Sequence, residues 1–214
     1  MKTKRKALLL SLCAVMLVVA SVLGTMAYLT SQDQVVNTFT IGQVKINLDE
    51  AALDDTGAPD PDADRVKENS YKLLPGHTYS KDPMVTVLEG SEESYVKMTV
   101  TFSHADELDA IFAPNGAALT SIFNGYDAAN WIAKGNTKDA NNNTRTYEFW
   151  YKEAVSAPSV DVELDALFDS ITVPGEITNE QLATIEGMTI TVNAYAIQAD
   201  GFADADAAWA AFGA

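Results

Sequence analysis

The sequence predicts a mainly β protein: one secreted, antiparallel β-sandwich domain with a few short helices, preceded by an N-terminal signal helix. Three observations predict it. Apolar and polar side chains alternate in SYVKMTVTFS and MTITVNAYAIQA, the period of a strand with one wet face. Roughly seven or eight such segments are separated by short turn signals, with few helical stretches, which is the layout of a sandwich. Ahead of them a basic cluster, Lys2, Lys4, Arg5 and Lys6, leads an uncharged run from Ala7 to Leu23, as in an export signal.

Length alone does not decide the fate of that run, because extended to Leu29 it also meets the ~20 residues of a membrane-spanning helix. Its flanks favour cleavage. Thr25 and Ala27 are small residues correctly spaced before a cut between Ala27 and Tyr28, and no basic stop-transfer cluster follows. The expected organisation is therefore a signal peptide over residues 1–27 and one secreted domain over 28–214. Either reading puts the domain outside the cytoplasm, since positive charge stays inside. Cys13, the only cysteine, falls within the signal. Bulky residues before it do not fit lipid modification, and the expected mature chain has neither disulfides nor thiolate metal ligands.

The elements follow in order. In FTIGQVKINLDE the apolar parity changes beside Gly42, which predicts a strand with a bulge. The acidic, proline-broken stretch DEAALDDTGAPDPDADRVKEN should be an exposed loop. MVTVL and SYVKMTVTFS, joined by a turn at Gly90, read as a strand pair. Leu108, Ile111 and Phe112, then Leu119, Ile122 and Phe123, recur at helical spacing and predict two short helices, the first capped by Ser103. GNTKDANNNT should be a turn. TRTYEFWYKE is again a strand, with Tyr147, Phe149 and Tyr151 on one face and Trp150 on the other. Short strands follow near residues 160 and 171–173, then a helix opening at Thr178 or Asn179. In the last strand Met188, Ile190, Val192, Ala194 and Ala196 share one side, and Phe202, Trp209 and Phe212 mark a closing amphipathic helix.

Composition narrows the function. The chain holds 14 basic and 30 acidic residues, and loss of the signal takes four of the basic ones, so nucleic acid, which is held by Lys and Arg on phosphates, is not an expected partner. Catalytic patterns are missing: neither His77 nor His104 stands in an HExxH context, and no Gly-x-Ser-x-Gly elbow occurs. The chain is not expected to be an enzyme or to need a cofactor. Calcium is the metal worth weighing. Asp60, Asp62 and Asp64 have the opening spacing of an EF-hand, but Arg65 stands where glycine should turn the chain and Tyr71 where a glutamate should close the loop. A looser site there, or at Asp200, Asp204 and Asp206, competes with solvated acidic loops and helix-terminal charge. The aromatic strand Tyr147, Phe149, Trp150 and Tyr151 reads either as core or as a glycan-stacking platform.

The run LGTMAYLTSQDQVVNTFTIGQVKINL resembles the start of the TasA/camelysin family of Gram-positive bacteria, and MTITVNAYAIQADGFADADAAWAAF is similar to the end of its clostridial-type members. YEFWYKEAVSAP and LFDSITVP add weaker similarity between them. The resemblance implies a secreted jelly-roll sandwich released by a SipW-type signal peptidase, whose best-known relatives form fibres of the biofilm matrix by adding a freed N-terminal segment to a neighbouring subunit as a strand. The matching segment is Tyr28 to Asn37, with Leu29, Val35 and Val36 as anchors and a second copy of the chain as partner. A floppy new terminus is the plainer reading of those residues. A monomeric surface adhesin or glycan-binding sandwich is the alternative. Some family members carry a metallopeptidase label, which these residues do not support, since the usual zinc ligands and base are missing.

Overall fold

The computed structural model describes Lys6 and residues 12–17, 42–54, 56–112 and 123–212. The chain divides into two units, Met1–Ile41 and Gly42–Ala214. In the first, Lys6 and residues 12–17, Cys13 among them, are helical and exposed. Among the described residues no helix is long and apolar enough to cross a membrane. The expected cleavage residues Thr25, Ala27 and Tyr28 and the expected anchors Leu29, Val35 and Val36 lie outside the described residues.

The second unit is mainly β, with antiparallel sheets and a few short helices. Its strands are β1 (Ile46–Asp49), β2 (Thr78–Ser80), β3 (Met84–Val87), β4 (Ser91–Ser103), β5 (Phe123–Asn124), β6 (Trp131–Asp139), β7 (Thr144–Tyr151), β8 (Val155–Ala157), β9 (Val162–Glu163), β10 (Ser170–Thr172) and β11 (Ile190–Gln198). The helices are α1 (Ala105–Phe112), α2 (Asn179–Thr184) and α3 (Ala205–Ala211). They form a sheet ordered β11-β4-β7-β6 with β8 also on β4, and two three-stranded sheets, β1-β3-β9 and β2-β10-β5.

Strand β4 organises the unit. Its alternation puts Val96, Met98, Val100 and Phe102 fully inside, each worth about 1.5–3 kcal/mol of burial, and it bonds β11 on one side and β7 and β8 on the other. All three sheets feed one core: Val85 and Val87 from β3, Tyr79 from β2, Ile171 from β10, and Tyr147 and Phe149 from β7 join the β4 residues. Phe102 lies against the rings of both Phe123 and Tyr147.

Four expectations change. β3 and β4 are not partners, because both edges of β3 are taken by β1 and β9; Gly90, at φ 80°, turns the chain from one sheet into another. GNTKDANNNT is not all turn: its first half completes β6, and only residues 140–143 turn. β6 is exposed along most of its length, so it has no apolar alternation to read, and pairing with β7 decides its conformation. Helix α1 forms as expected but Ser103 ends β4 instead of capping it. The cap comes from far along the chain, where the Asn143 carbonyl and side chain accept the Ala105 and Asp106 N–H groups at 3.0 and 2.8 Å. Phe123 belongs to β5, and the rest of the second expected helix lies outside the described residues. The C-terminal expectations stand: Thr178 and Gln181 form a capping box at α2, Met188, Ile190, Val192, Ala194 and Ala196 pack on the core, and α3 buries Trp209.

Candidate strand-docking groove

A cleft of about 1280 Å³ is lined by residues of β1 and β11, by Leu182 and Ile185 around α2 and by the segment 66–73. Both strands stand at sheet ends, and the hydrogen-bond parity shows what they present. On β1, Lys45 accepts from Leu88 beyond β3, whereas Glu50 exchanges two bonds with Val66 on the opposite side. Neighbouring residues of a strand direct their main-chain groups to opposite sides. Ile46 and Leu48 therefore direct theirs, like Glu50, away from β3. On β11, Thr189 accepts from Ser103, and Ala199 donates to Glu93, so the odd-numbered residues bond β4. The even ones, Ile190, Val192, Ala194 and Ala196, direct N–H and C=O outward.

Among the described residues no strand pairs with those outward groups of β11. The Leu48 carbonyl accepts from the Lys67 ammonium at 2.5 Å, a side chain standing in for a missing strand. The side chains along both edges, Ile46 and Leu48, then Ile190, Val192 and Ala194, are half-buried against the core. The groove thus borders the unpaired edge of β11 and the partly occupied edge of β1, each lined by apolar side chains, the features that strand addition uses: main-chain partners and pockets for alternate side chains. At their nearest, Cα atoms of β1 and β11 lie within 8 Å, closer than the ~10 Å spanned by the two neighbours of an inserted strand. Insertion must widen the groove where the two strands are this close.

Among the lining residues is a buried polar cluster. Lys81 and Glu50 pair at 2.6 Å with side chains 6% and 8% exposed. Asn69 donates to the other Glu50 oxygen at 3.0 Å, and the Lys81 ammonium lies 5.7 Å from the Tyr71 ring centre. Burial, with the Glu50 carboxylate adding to it, pushes the Tyr71 hydroxyl well above its ordinary range. The loop expected to be exposed is largely so, but it is tied into the fold at its start through buried Glu50.

The aromatic strand does not gather its rings on one face. Tyr147 and Phe149 face the core at 5% and 4% exposure, and Tyr151 packs edge-on against Trp131. Trp150 does face outward, but Lys134 covers its ring at 3.8 Å and Trp209 packs beside it. Strand parity, which sends odd residues inward, separates the four rings. Lys97 is likewise enclosed by the rings of Trp209, Phe212 and Tyr195.

The acidic residues weighed for calcium are dispersed among local tasks. Asp60 accepts from the Asp62 N–H, and Asp204 caps α3 through Ala207. Asp206 pairs with Lys134 at 3.2 Å, and the Asp200 carbonyl accepts from Gln198. Asp62 and Asp64 are exposed. Among the described residues no three His, Cys, Asp or Glu are gathered as metal donors.

Sequence reading missed the groove because an open edge is a relation between strands remote in the chain, and β11 alternates as any half-buried strand does. It missed the Lys81, Glu50 and Asn69 cluster for the same reason, with no local pattern to mark it. Comparison with known proteins finds no matching family model, no matching curated protein and no matching solved structure.

Proposed function

We propose that the chain is a secreted structural protein of the cell surface or extracellular matrix that self-associates, the segment Tyr28 to Asn37 of one copy entering the β1/β11 groove of another as a strand. The observation that carries this reading is the pair of facing, outward-bonding edges, Ile46 and Leu48 opposite Ile190, Val192 and Ala194. A strand laid there would join the sheet β9-β3-β1 to β11-β4-β7-β6 and satisfy donors and acceptors on both. Each main-chain bond contributes about 0.5–1.5 kcal/mol net, so several bonds with buried Leu29, Val35 and Val36 side chains make a stable contact. The similarity of the opening and closing blocks to the TasA/camelysin family points the same way, and a jelly-roll sandwich and a SipW-type signal peptidase belong to the same proposal.

Negative-stain electron microscopy of residues 28–214 beside a version beginning at Phe39 tests it. Filaments from the longer chain alone are expected. Filaments from both, or from neither at any concentration, would remove the role of the N-terminal segment.

A further inference from the structure

The polar cluster on the groove wall holds the reactants of an amide exchange. Lys81, a primary amine, and Asn69, a carboxamide, are bound to the two oxygens of one carboxylate: Lys81 Nζ to Glu50 Oε2 at 2.6 Å and Asn69 Nδ2 to Glu50 Oε1 at 3.0 Å. Asn69 is further fixed by donating to the Ala51 carbonyl at 2.9 Å. Glu50 and Lys81 are 6% and 5% exposed, so water competes poorly with either, while Asn69 is only half-buried and borders the open groove. Two reactants held on one acid–base group, in a nearly dry site, have their encounter entropy already removed.

We propose that Lys81 and Asn69 condense into an intramolecular isopeptide bond, with Glu50 as the proton carrier. Glu50 takes a proton from the Lys81 ammonium, and the freed Nζ lone pair attacks Asn69 Cγ. A Cγ–Nζ bond forms and the Cγ–Nδ2 bond breaks. Nζ gives up two protons in all: one reaches Nδ2 through Glu50, and the other leaves with the departing ammonia as ammonium. No electrons change hands and no co-reactant is needed. The ammonia escapes by way of the groove. In a chain whose single cysteine, Cys13, lies in the first unit, this bond would pin the segment ahead of β2 to the residue that follows β2, in the way a disulfide pins a small secreted domain. It acts within one copy and does not depend on strand docking.

Tryptic mapping by mass spectrometry of the purified chain tests the proposal. The unlinked chain yields separate peptides Glu68–Lys72 and Leu73–Lys81. The condensed chain yields Glu68–Lys72 joined to Leu73–Lys97, since an acylated Lys81 resists trypsin, at a mass one ammonia below the sum. That branched species is expected, and it should vanish, with the sequence mass restored, in Lys81→Arg and Glu50→Gln. Recovery of the two separate peptides from the native chain would overturn the proposal. So would an ammonia loss confined to a linear peptide at Asn69 and persisting in Lys81→Arg, which is the mark of a succinimide.

Discussion

The long sheet has two edges, and they are built to opposite rules. At β6 the register slips between Ala133 and Gly135, Gly135 sits at φ 119°, and Lys134 and Lys138 stand on a largely exposed strand. A bulge and charged side chains are the usual means of stopping an edge from pairing with another chain. At β11 none of these is present: the register on β4 runs unbroken from Ile190 to Gln198, the strand carries no charge, and it borders a groove facing a second edge. One sheet thus carries the devices that block pairing on its β6 side and lacks them on its β11 side, and the proposed assembly is placed at β11 on that ground.

Removing the strand beneath both edges has the largest effect. Phe102→Ala takes a fully buried ring from contact with Phe123 and Tyr147 and should cost about 3–5 kcal/mol, read as a fall in the urea midpoint. Stability and association should fall together. Next comes Val192→Pro, which removes an outward N–H and none of the bonds to β4, so the domain stays folded because proline is tolerated where the N–H faces away from the sheet. Filament formation should drop at least tenfold by light scattering, whereas Thr137→Lys on β6 leaves it unchanged. Equal loss from the two variants would erase the distinction between the edges.

A pH effect sharpens the β6 side. Partial burial of the Asp109 carboxyl would raise its pKa, but hydrogen bonds from Lys138 and Arg145 prevail and hold it below the ordinary carboxylate range. The stability this pair of bonds supplies is present above the unfolded carboxylate value, about 3.9, and is lost as pH falls through the lowered folded value. Thermal melts of Asp109→Asn should therefore lose less stability on acidification than the native chain. The smallest effect is at Lys134, stacked on Trp150 and paired with exposed Asp206. Lys134→Ala should cost roughly 0.5–1 kcal/mol in a denaturant titration.

Elements whose own side chains carry the signal are legible in the sequence. β4, β7 and β11 announce themselves by alternation, α1 and α3 by helical spacing, and α2 by its opening at Thr178. β6 is not legible, because WIAKGNTKD is polar on both faces after Ala133 and shows no alternation, so it becomes a strand only by pairing with β7. Nor is the pairing of β3, since MVTV reads the same whether its partner is β4 or β1. At the site, alternation places Ile190, Val192 and Ala194 correctly on one face, but that β1 lies opposite them is a long-range fact. The four aromatic residues do not share one surface, by a parity that the sequence itself displays: Tyr147 and Phe149 share a face with Tyr151, and that face is the core.

Whether the β11 edge accepts the N-terminal strand of another copy is read most directly by hydrogen exchange. A peptide of residues 28–41 is added to the domain beginning at Gly42, and amide exchange is followed residue by residue along β1 and β11. In the free domain the amides of Thr191, Asn193 and Tyr195, bonded to β4, should be protected and those of Ile190, Val192 and Ala194 should exchange freely. The peptide should protect Ile190, Val192, Ala194 and Ile46 together and leave β6 unchanged. Exchange at those four amides unaltered at saturating peptide, or protection appearing on β6 instead, would contradict docking at β11.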